Sequence, residues 1–103
     1  MALTTIVTRD VPARFHGFLS SAMLEISPGV FVSPRMNKSV RNRIWDVLSD
    51  WHEQLNEGSL VMVWRDINET GVIGLAYLGV APRTLVEVDG MWLTRRTKSQ
   101  NAL

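Results

Sequence analysis

Cysteine is absent from this chain of 103 residues, which excludes a disulfide framework, a thiol nucleophile and a thiolate zinc site. Such a chain suits a reducing cytoplasm. Histidine is scarce, and His16 and His52 alone do not form a histidine-based metal site. No apolar run approaches the roughly 20 residues of a membrane span, and residues 1–5 lack the basic start of a signal peptide. We therefore expect a cytoplasmic protein with no membrane segment.

A strong net charge is also missing. The formal charge is +1, so any contact with nucleic acid has to come from local clusters of basic residues. Hydrophobic residues make up 46% and charged residues 20%, which is typical of a globular protein. A chain of this length suits one domain, in which folding buries about two-thirds of the unfolded surface. A partner subunit would enlarge such a small core.

The apolar pattern in the first third of the chain predicts a strand, a helix and a second strand. The short β-branched run at 3–7 indicates a buried strand. Pro12 suits the first turn of the helix that follows, and Ser27-Pro28-Gly29 ends it. The second strand covers 30–32 and closes at Ser33-Pro34. The apolar face of the helix repeats at spacings of three and four and consists of Phe15, Phe18, Leu19, Ala22, Met23 and Ile26.

The remaining pattern predicts a second helix and four strands. Asn37 or Ser39 caps this helix, and Gly58 fits its C-terminal stop. Its apolar stripe consists of Val40, Ile44, Val47, Leu48, Trp51 and Leu55. Strands are expected at 59–64 and 72–78, and a last pair at 84–88 and 91–94 surrounds the tight turn Asp89-Gly90.

The expected fold is α+β: a ferredoxin-like βαββαβ domain over residues 1–94 with an extra C-terminal β-hairpin. Residues 95–103 are polar and are expected to fray. Two helices cover one face of the sheet. We expect a second copy of the chain to cover the other face, with the last strands crossing to the sheet edge of the partner. The chain is therefore predicted to be a homodimer.

The charges of the second helix run against its dipole. Residues 35–43 contain only basic charges, and residues 46–57 contain only acidic ones. A stable isolated helix prefers the opposite order. One interpretation is a solvated face with pairs of the Arg43–Asp46 and Arg43–Asp50 type. The other is that the basic end, including Lys38, meets phosphates.

Further candidate residues lie at the ends of elements. Arg14 falls in the first turn of the first helix, and Arg83 precedes the last hairpin. An arginine holds two phosphate oxygens at once, so both are candidates for backbone contacts to nucleic acid. Asp10 follows the first strand. Two copies of Asp10 brought together by a dimer would offer ligands for Mg²⁺ and a nuclease reaction, whereas the alternative is a residue that only shapes the turn before Pro12.

Several short segments, taken in order, resemble CRISPR-associated protein two of the type I-E systems over about residues 3–94. No one of them is specific, but their order and spacing together are. They are Thr8–Pro12, Arg14, Gly17, Leu24-Glu25, Gly29–Val32, Arg41–Trp45, Glu57–Trp64, Asn68–Gly71, Arg83-Thr84 and Val88–Gly90.

The resemblance implies a homodimer at the centre of the spacer-acquisition complex, flanked by dimers of the integrase, CRISPR-associated protein one. The central dimer would hold the double-stranded prespacer DNA through its backbone while the integrase transfers strands. Arg14 and Arg83 match DNA-facing positions of the family, with Lys38 as a further candidate, and His16 stands where relatives have arginine. The integrase would meet Glu69, Asp89 and the C-terminal hairpin.

The same family is described as metal-dependent nucleases that use an acid at the end of the first strand. Here that position is Arg9, and the acid lies one residue later at Asp10. This shift favours a structural role over cleavage. The alternative is a Mg²⁺-dependent endonuclease acting on RNA or DNA through Asp10. A small-ligand sensor is a third possibility, and the lack of a Gly-rich phosphate loop and of a histidine cluster argues against it.

Overall fold

A computed structural model of the protein describes residues 2–69 and 72–95, and in those ranges the chain forms seven strands and two helices. The strands are β1 (Ala2–Arg9), β2 (Leu24–Ser27), β3 (Val30–Met36), β4 (Ser59–Arg65), β5 (Ile73–Leu78), β6 (Thr84–Val88) and β7 (Met91–Arg95). The helices are α1 (Ala13–Ala22) and α2 (Lys38–Leu55). Neither helix is long and apolar enough to span a bilayer.

Five strands form one antiparallel sheet in the order β2-β3-β1-β4-β5. The first strand lies at the centre because it pairs with β3 on one side and β4 on the other. Elements β1 to β4 with the two helices follow the βαββαβ order, and β5 extends the sheet beyond β4. The predicted ferredoxin-like α+β class is confirmed.

The core lies between the helices and one face of the sheet. Alternate residues of each strand point to this face, and the register places Ile6 beside Phe31 and Met62. Helix α1 contributes Phe15 and Leu19, and α2 contributes its own buried stripe. The buried hydrophobic residues are Ile6, Phe15, Leu19, Met23, Phe31, Met36, Ile44, Leu48, Leu60 and Met62. The inward-facing residues of the strands and of the helices therefore form one contiguous cluster.

The other face of the sheet, which we call the open face, is also apolar. The register assigns to it Leu24, Val30, Val32, Thr5, Val7, Val61, Val63, Leu75 and Tyr77. All of these side chains are exposed or only half-buried. On the solvent-exposed face of an antiparallel sheet the outward residues are normally polar. On this sheet the residues of the open face are mostly apolar.

The first helix is shorter than predicted, and the strand β2 was missed. Helix α1 ends at Ala22, Met23 is extended (φ −141°, ψ 168°), and Leu24–Ser27 pairs with β3. The expectation that Ile26 lies on the apolar helix face is therefore wrong. Leu24 and Ile26 are 60% and 66% exposed instead. Phe15 and Leu19 are buried as expected.

The boundaries around the second helix also differ from the prediction. Strand β3 continues through Pro34 to Met36, because Pro34 lies where the β1–β3 register is interrupted and no ladder hydrogen bond is needed from it. Asn37 is the N-cap, as predicted, and its side chain accepts a hydrogen bond from the Val40 N–H at 2.8 Å. The helix stops at Asn56 in the left-handed conformation, two residues before the predicted Gly58.

The last two strands form a β-hairpin, as predicted, and in the described residues this hairpin is a sheet of its own. Asp89 (φ 51°) and Gly90 (φ 81°) occupy the turn, where both central residues need a positive φ. Within the described ranges this hairpin pairs with no strand of the five-stranded sheet. Met91, Trp92 and Leu93 are exposed on it. The expected tail at 95–103 begins with the last residue of β7, and its remainder lies outside the described residues.

Trp64 connects the sheet to the second helix. Its ring lies 4.3 Å from the guanidinium carbon of Arg41, measured to the ring centroid. On β5 its register partner is Gly74, and a Cβ atom built on Gly74 would overlap the indole. The indole therefore occupies space that any other residue at position 74 would need.

We expect Gly74→Ala to lower the free energy of unfolding by about 1–3 kcal/mol, because the added methyl group overpacks the indole of Trp64. The matched control is Gly17→Ala in α1, where a Cβ would meet nothing within 4 Å. That change should be neutral or stabilising by up to about 1 kcal/mol. Urea denaturation of both variants measures the difference. Equal stability of the two would contradict the close packing of Trp64 on β5.

Candidate nucleic-acid interface

Arg14 is held on an aromatic surface at the start of α1. Its guanidinium carbon lies 4.4 Å from the ring centroid of Trp51, and its side chain is exposed. Trp51 is in turn fixed by edge-to-face contacts with Phe15 and Phe18, at centroid distances of 5.4 and 5.3 Å. The guanidinium is therefore positioned by cation–π attraction and keeps its charge.

His16 lies next to a carboxylate. Its Nδ1 is 3.8 Å from Oε2 of Glu25 on β2, and the same oxygen accepts a hydrogen bond from the Gly29 N–H at 3.1 Å. The imidazole ring also lies beside Phe31, with centroids 5.9 Å apart. A negative neighbour lowers the positive potential that His16 presents to a phosphate. Its predicted DNA contact stays a prediction, with weaker electrostatics than that of Arg14.

Lys38 lies far from Arg14. It begins α2, whereas Trp51, the residue beneath Arg14, lies 13 positions further along the same helix. At 1.5 Å per residue this separation is about 20 Å along the helix axis. The structure therefore places these two predicted DNA contacts at opposite ends of α2. They do not form one cluster within a single copy of the chain.

Arg83 and Glu69 share one cleft. This cleft of about 300 Å³ lies between β5 and the start of β6, and Trp64, Leu75 and Thr84 are among its other lining residues. The predicted DNA contact Arg83 and the predicted integrase contact Glu69 thus lie on the same part of the surface. Asp89, the second predicted integrase contact, is exposed at the turn of the separate hairpin.

The lysine and arginine side chains of the described residues form no ion pairs. Between residues of these ranges only His16 and Glu25 approach within ion-pair distance. Pairs of the Arg43–Asp46 and Arg43–Asp50 type, expected under the solvated-face interpretation, do not form. The positive charges at the start of α2 are therefore not neutralised by the acidic residues later in that helix.

Arg41 is a residue whose position the sequence analysis missed. It is only 9% exposed, and it stacks on Trp64. A signal was available, because Arg41 precedes the buried residues Ile44 and Leu48 by three and seven positions. That spacing placed it on the inner face of α2. The basic character of residues 35–43 hid this feature.

Asp10 adopts a left-handed backbone conformation with φ 57°, and its side chain is exposed. Across residues 2–69 and 72–95, no three His, Asp or Glu side chains lie close enough to hold a metal ion. Within these ranges Asp10 is thus not part of a cluster of metal-ligating side chains. The assignment of Asp10 as catalytic residue and metal ligand stays a prediction.

The sequence of the chain matches one protein family over nearly its whole length. A family model described as CRISPR-associated protein (Cas_Cas2CT1978) matches residues 3–93. The match runs from β1 into β7, and it includes each candidate residue discussed above. It therefore covers the sheet, both helices and most of the hairpin.

We expect Asp10→Gly to be at least as stable as the wild type and Asp10→Ala to be less stable by about 1 kcal/mol. The reason is that alanine carries the full steric cost of a left-handed backbone, which glycine avoids. Chemical denaturation of both variants measures this. Equal stabilities would show that residue 10 does not hold this conformation in solution. Tests of the carboxylate itself should use Asp10→Asn, since asparagine tolerates the same backbone.

Proposed function

The chain belongs to the family of CRISPR-associated proteins (Cas_Cas2CT1978), and from that premise we propose that it is a structural subunit of spacer acquisition in a type I-E system. In this proposal a homodimer holds the backbone of duplex prespacer DNA and bridges dimers of the integrase, CRISPR-associated protein one. The proposal assigns strand transfer to the integrase. It gives this chain no catalytic step, because Arg9 stands at the position where the resemblance implies an acid and the nearest carboxylate is that of Asp10.

The observation that carries the DNA-binding role is the state of Arg14. Its guanidinium is exposed, fixed over Trp51 and paired with no described carboxylate. A fixed, unneutralised guanidinium loses little conformational freedom when it binds a phosphate. Arg83 is exposed as well and lies in its cleft near β5. Neither position offers a code for base reading, so contacts to backbone phosphates fit best.

The open face supports the proposed homodimer. It is a continuous apolar surface on a five-stranded sheet, and apolar surfaces of this kind mark protein interfaces. A second copy presents the same surface and is self-complementary about a two-fold axis. The β6–β7 hairpin gives a second reason, because an isolated two-stranded hairpin is marginally stable in water. Pairing with the edge strand of the partner would stabilise it.

The proposed integrase contacts lie outside the open face. Glu69 and Asp89 are both exposed, one beside Arg83 and the other at the hairpin turn. These carboxylates suit basic residues on the integrase. Asp89 lies at the hairpin turn, outside the open face, whereas the cleft of Glu69 borders the open face at Leu75.

We expect Arg14→Ala combined with Arg83→Ala to weaken duplex binding and to flatten its salt dependence. Each lost phosphate contact should reduce the slope of log affinity against log salt by roughly one. Fluorescence anisotropy with a short duplex over a salt series measures both effects. The control is Arg43→Ala, which removes one exposed charge of α2 away from Trp51 and from the Arg83 cleft.

A folding check and the control variant complete the DNA-binding test. Thermal unfolding confirms that the double variant is folded, which matters because Arg14 packs on Trp51. Unchanged affinity and slope in a folded double variant would refute this mode of DNA binding. A loss of equal size in Arg43→Ala would reduce the effect to net charge alone.

We expect Val7→Asp to disrupt the homodimer. Val7 lies on the open face, and a buried unpaired carboxylate costs several kcal/mol, enough to weaken association by at least roughly tenfold. The matched control is Val40→Asp in the first turn of α2, since both valines are 39% exposed. Analytical ultracentrifugation reports the mass of each variant. A Val7→Asp protein that stays dimeric would exclude the open face as the interface.

A further inference from the structure

The segment that follows α2 packs against the turn that follows β1, which we call the Asp10 turn (residues 10–12). The contact is made by Gly58, whose φ is 75°. A Cβ atom built on Gly58 would lie 2.6 Å from the carbonyl oxygens of both Arg9 and Asp10. The two backbones are therefore in direct contact, with no room for a side chain between them. A displacement of Gly58 has to move the Asp10 turn, because close-packed groups transmit strain.

A histidine of α2 holds Gly58 from the other side. Nε2 of His52, in the last turn of the helix, lies 3.1 Å from the carbonyl oxygen of Gly58, and the imidazole is half-buried. A carbonyl only accepts hydrogen bonds, so Nε2 carries the proton and donates it. Between these two residues the chain leaves the helix at Asn56, whose backbone is left-handed. His52 therefore fixes the direction in which the chain continues from α2 to Gly58.

The Asp10 turn leads directly into α1. Pro12 is the N-cap of this helix, and its carbonyl accepts a hydrogen bond from the Phe15 N–H at 3.0 Å. Arg14 follows in the first turn, where Trp51 of α2 contacts its guanidinium. Asp10 itself has φ 57°, a conformation that a residue with a side chain adopts at a cost. Contacts from other elements therefore have to hold this turn in place.

We propose that His52 is a positioning residue for the Asp10 turn and, through that turn, for the start of α1 with Arg14. The imidazole holds the carbonyl of Gly58, and Gly58 supports the carbonyls of Arg9 and Asp10. The effect on Arg14 rests on the proposed function, because its consequence is duplex binding. The link from His52 to the Asp10 turn does not depend on that function.

Two amide substitutions of similar chemistry separate the hydrogen bond from other effects of residue 52. His52→Gln places its amide nitrogen near the position of Nε2 and keeps a donor for Gly58. His52→Asn is shorter, places its nitrogen near the position of Nδ1 and loses this donor. Neither side chain titrates, so both variants are uncharged at any working pH. We expect the glutamine variant to resemble the wild type and the asparagine variant to differ.

The first readout is the conformation of Asp10 in the isotope-labelled full-length protein without DNA. The intraresidue NOE between the amide proton and Hα is strong when φ is positive. We expect this NOE to weaken in His52→Asn and the amide signals of Arg9 and Asp10 to shift. In His52→Gln the NOE and both signals should stay close to those of the wild type.

The second readout is duplex affinity, measured by fluorescence anisotropy well below the unfolding midpoint of each variant. His52→Asn should weaken binding by roughly two- to tenfold, the range that corresponds to one lost hydrogen bond. The slope of log affinity against log salt should stay unchanged, since no phosphate contact is removed. Arg14→Ala should lower that slope by about one. A purely structural role of His52 would change neither the affinity nor the Asp10 NOE of the folded protein.

The two readouts separate this proposal from the proposed function. Loss of the NOE and of affinity in His52→Asn, with both retained in His52→Gln, supports the proposal. An unchanged NOE and unchanged amide signals of Asp10 in His52→Asn overturn it. If the wild type binds no duplex, the proposed function fails, and the NOE comparison still decides whether His52 positions the turn. A changed turn with wild-type duplex affinity in His52→Asn overturns the extension to Arg14.

Discussion

The structure depends on one constraint: two helices cover only one face of a five-stranded apolar sheet. On the covered face, Ile6, Phe31 and Met62 join the inward residues of α1 and α2 in a single core. On the open face, Val7, Val61 and Tyr77 have no such cover from the part of the chain that the structure describes. A domain of this size buries little apolar surface, so an exposed apolar sheet face lowers its free energy of unfolding. The proposed homodimer follows from this imbalance.

Cation–π contacts replace ion pairs in the basic regions of the protein. Arg14 lies on Trp51 and Arg41 lies on Trp64, and neither pairs with a described carboxylate. A carboxylate would hold an arginine in place and cancel its charge, whereas an aromatic face holds it and leaves the charge uncancelled. Arg14 of α1 and Arg41 of α2 are therefore held against aromatic rings of α2 and β4, and no described carboxylate cancels their charge.

Asp10 follows the first strand one residue after the position at which the resemblance predicts an acid. At position 10 the backbone is left-handed, and the carboxylate lies on the exposed turn between β1 and α1. Aspartate tolerates that conformation better than most residues do. The left-handed backbone at this turn is therefore a structural role that Asp10 fills. Its catalytic role stays a prediction.

Much of this protein was predictable from its sequence, because the relevant signals are local. The Asn37 cap, the Asp89-Gly90 turn and the apolar stripes of both helices depend on residues within a few positions of each other, and together they indicated the α+β class. Strand β2 was not predictable, since Ile26 continues the helical spacing of Phe15 and Leu19 and only pairing with β3 selects the extended form. The same holds for Arg41. Its side chain is charged, yet it is buried in the fold because it stacks on the ring of Trp64, which is distant along the chain.

Local patterns determined the elements of this protein. Long-range contacts decided which of its charges are held in clefts and how far apart they lie, because sequence spacing carries no information about neighbours from another element.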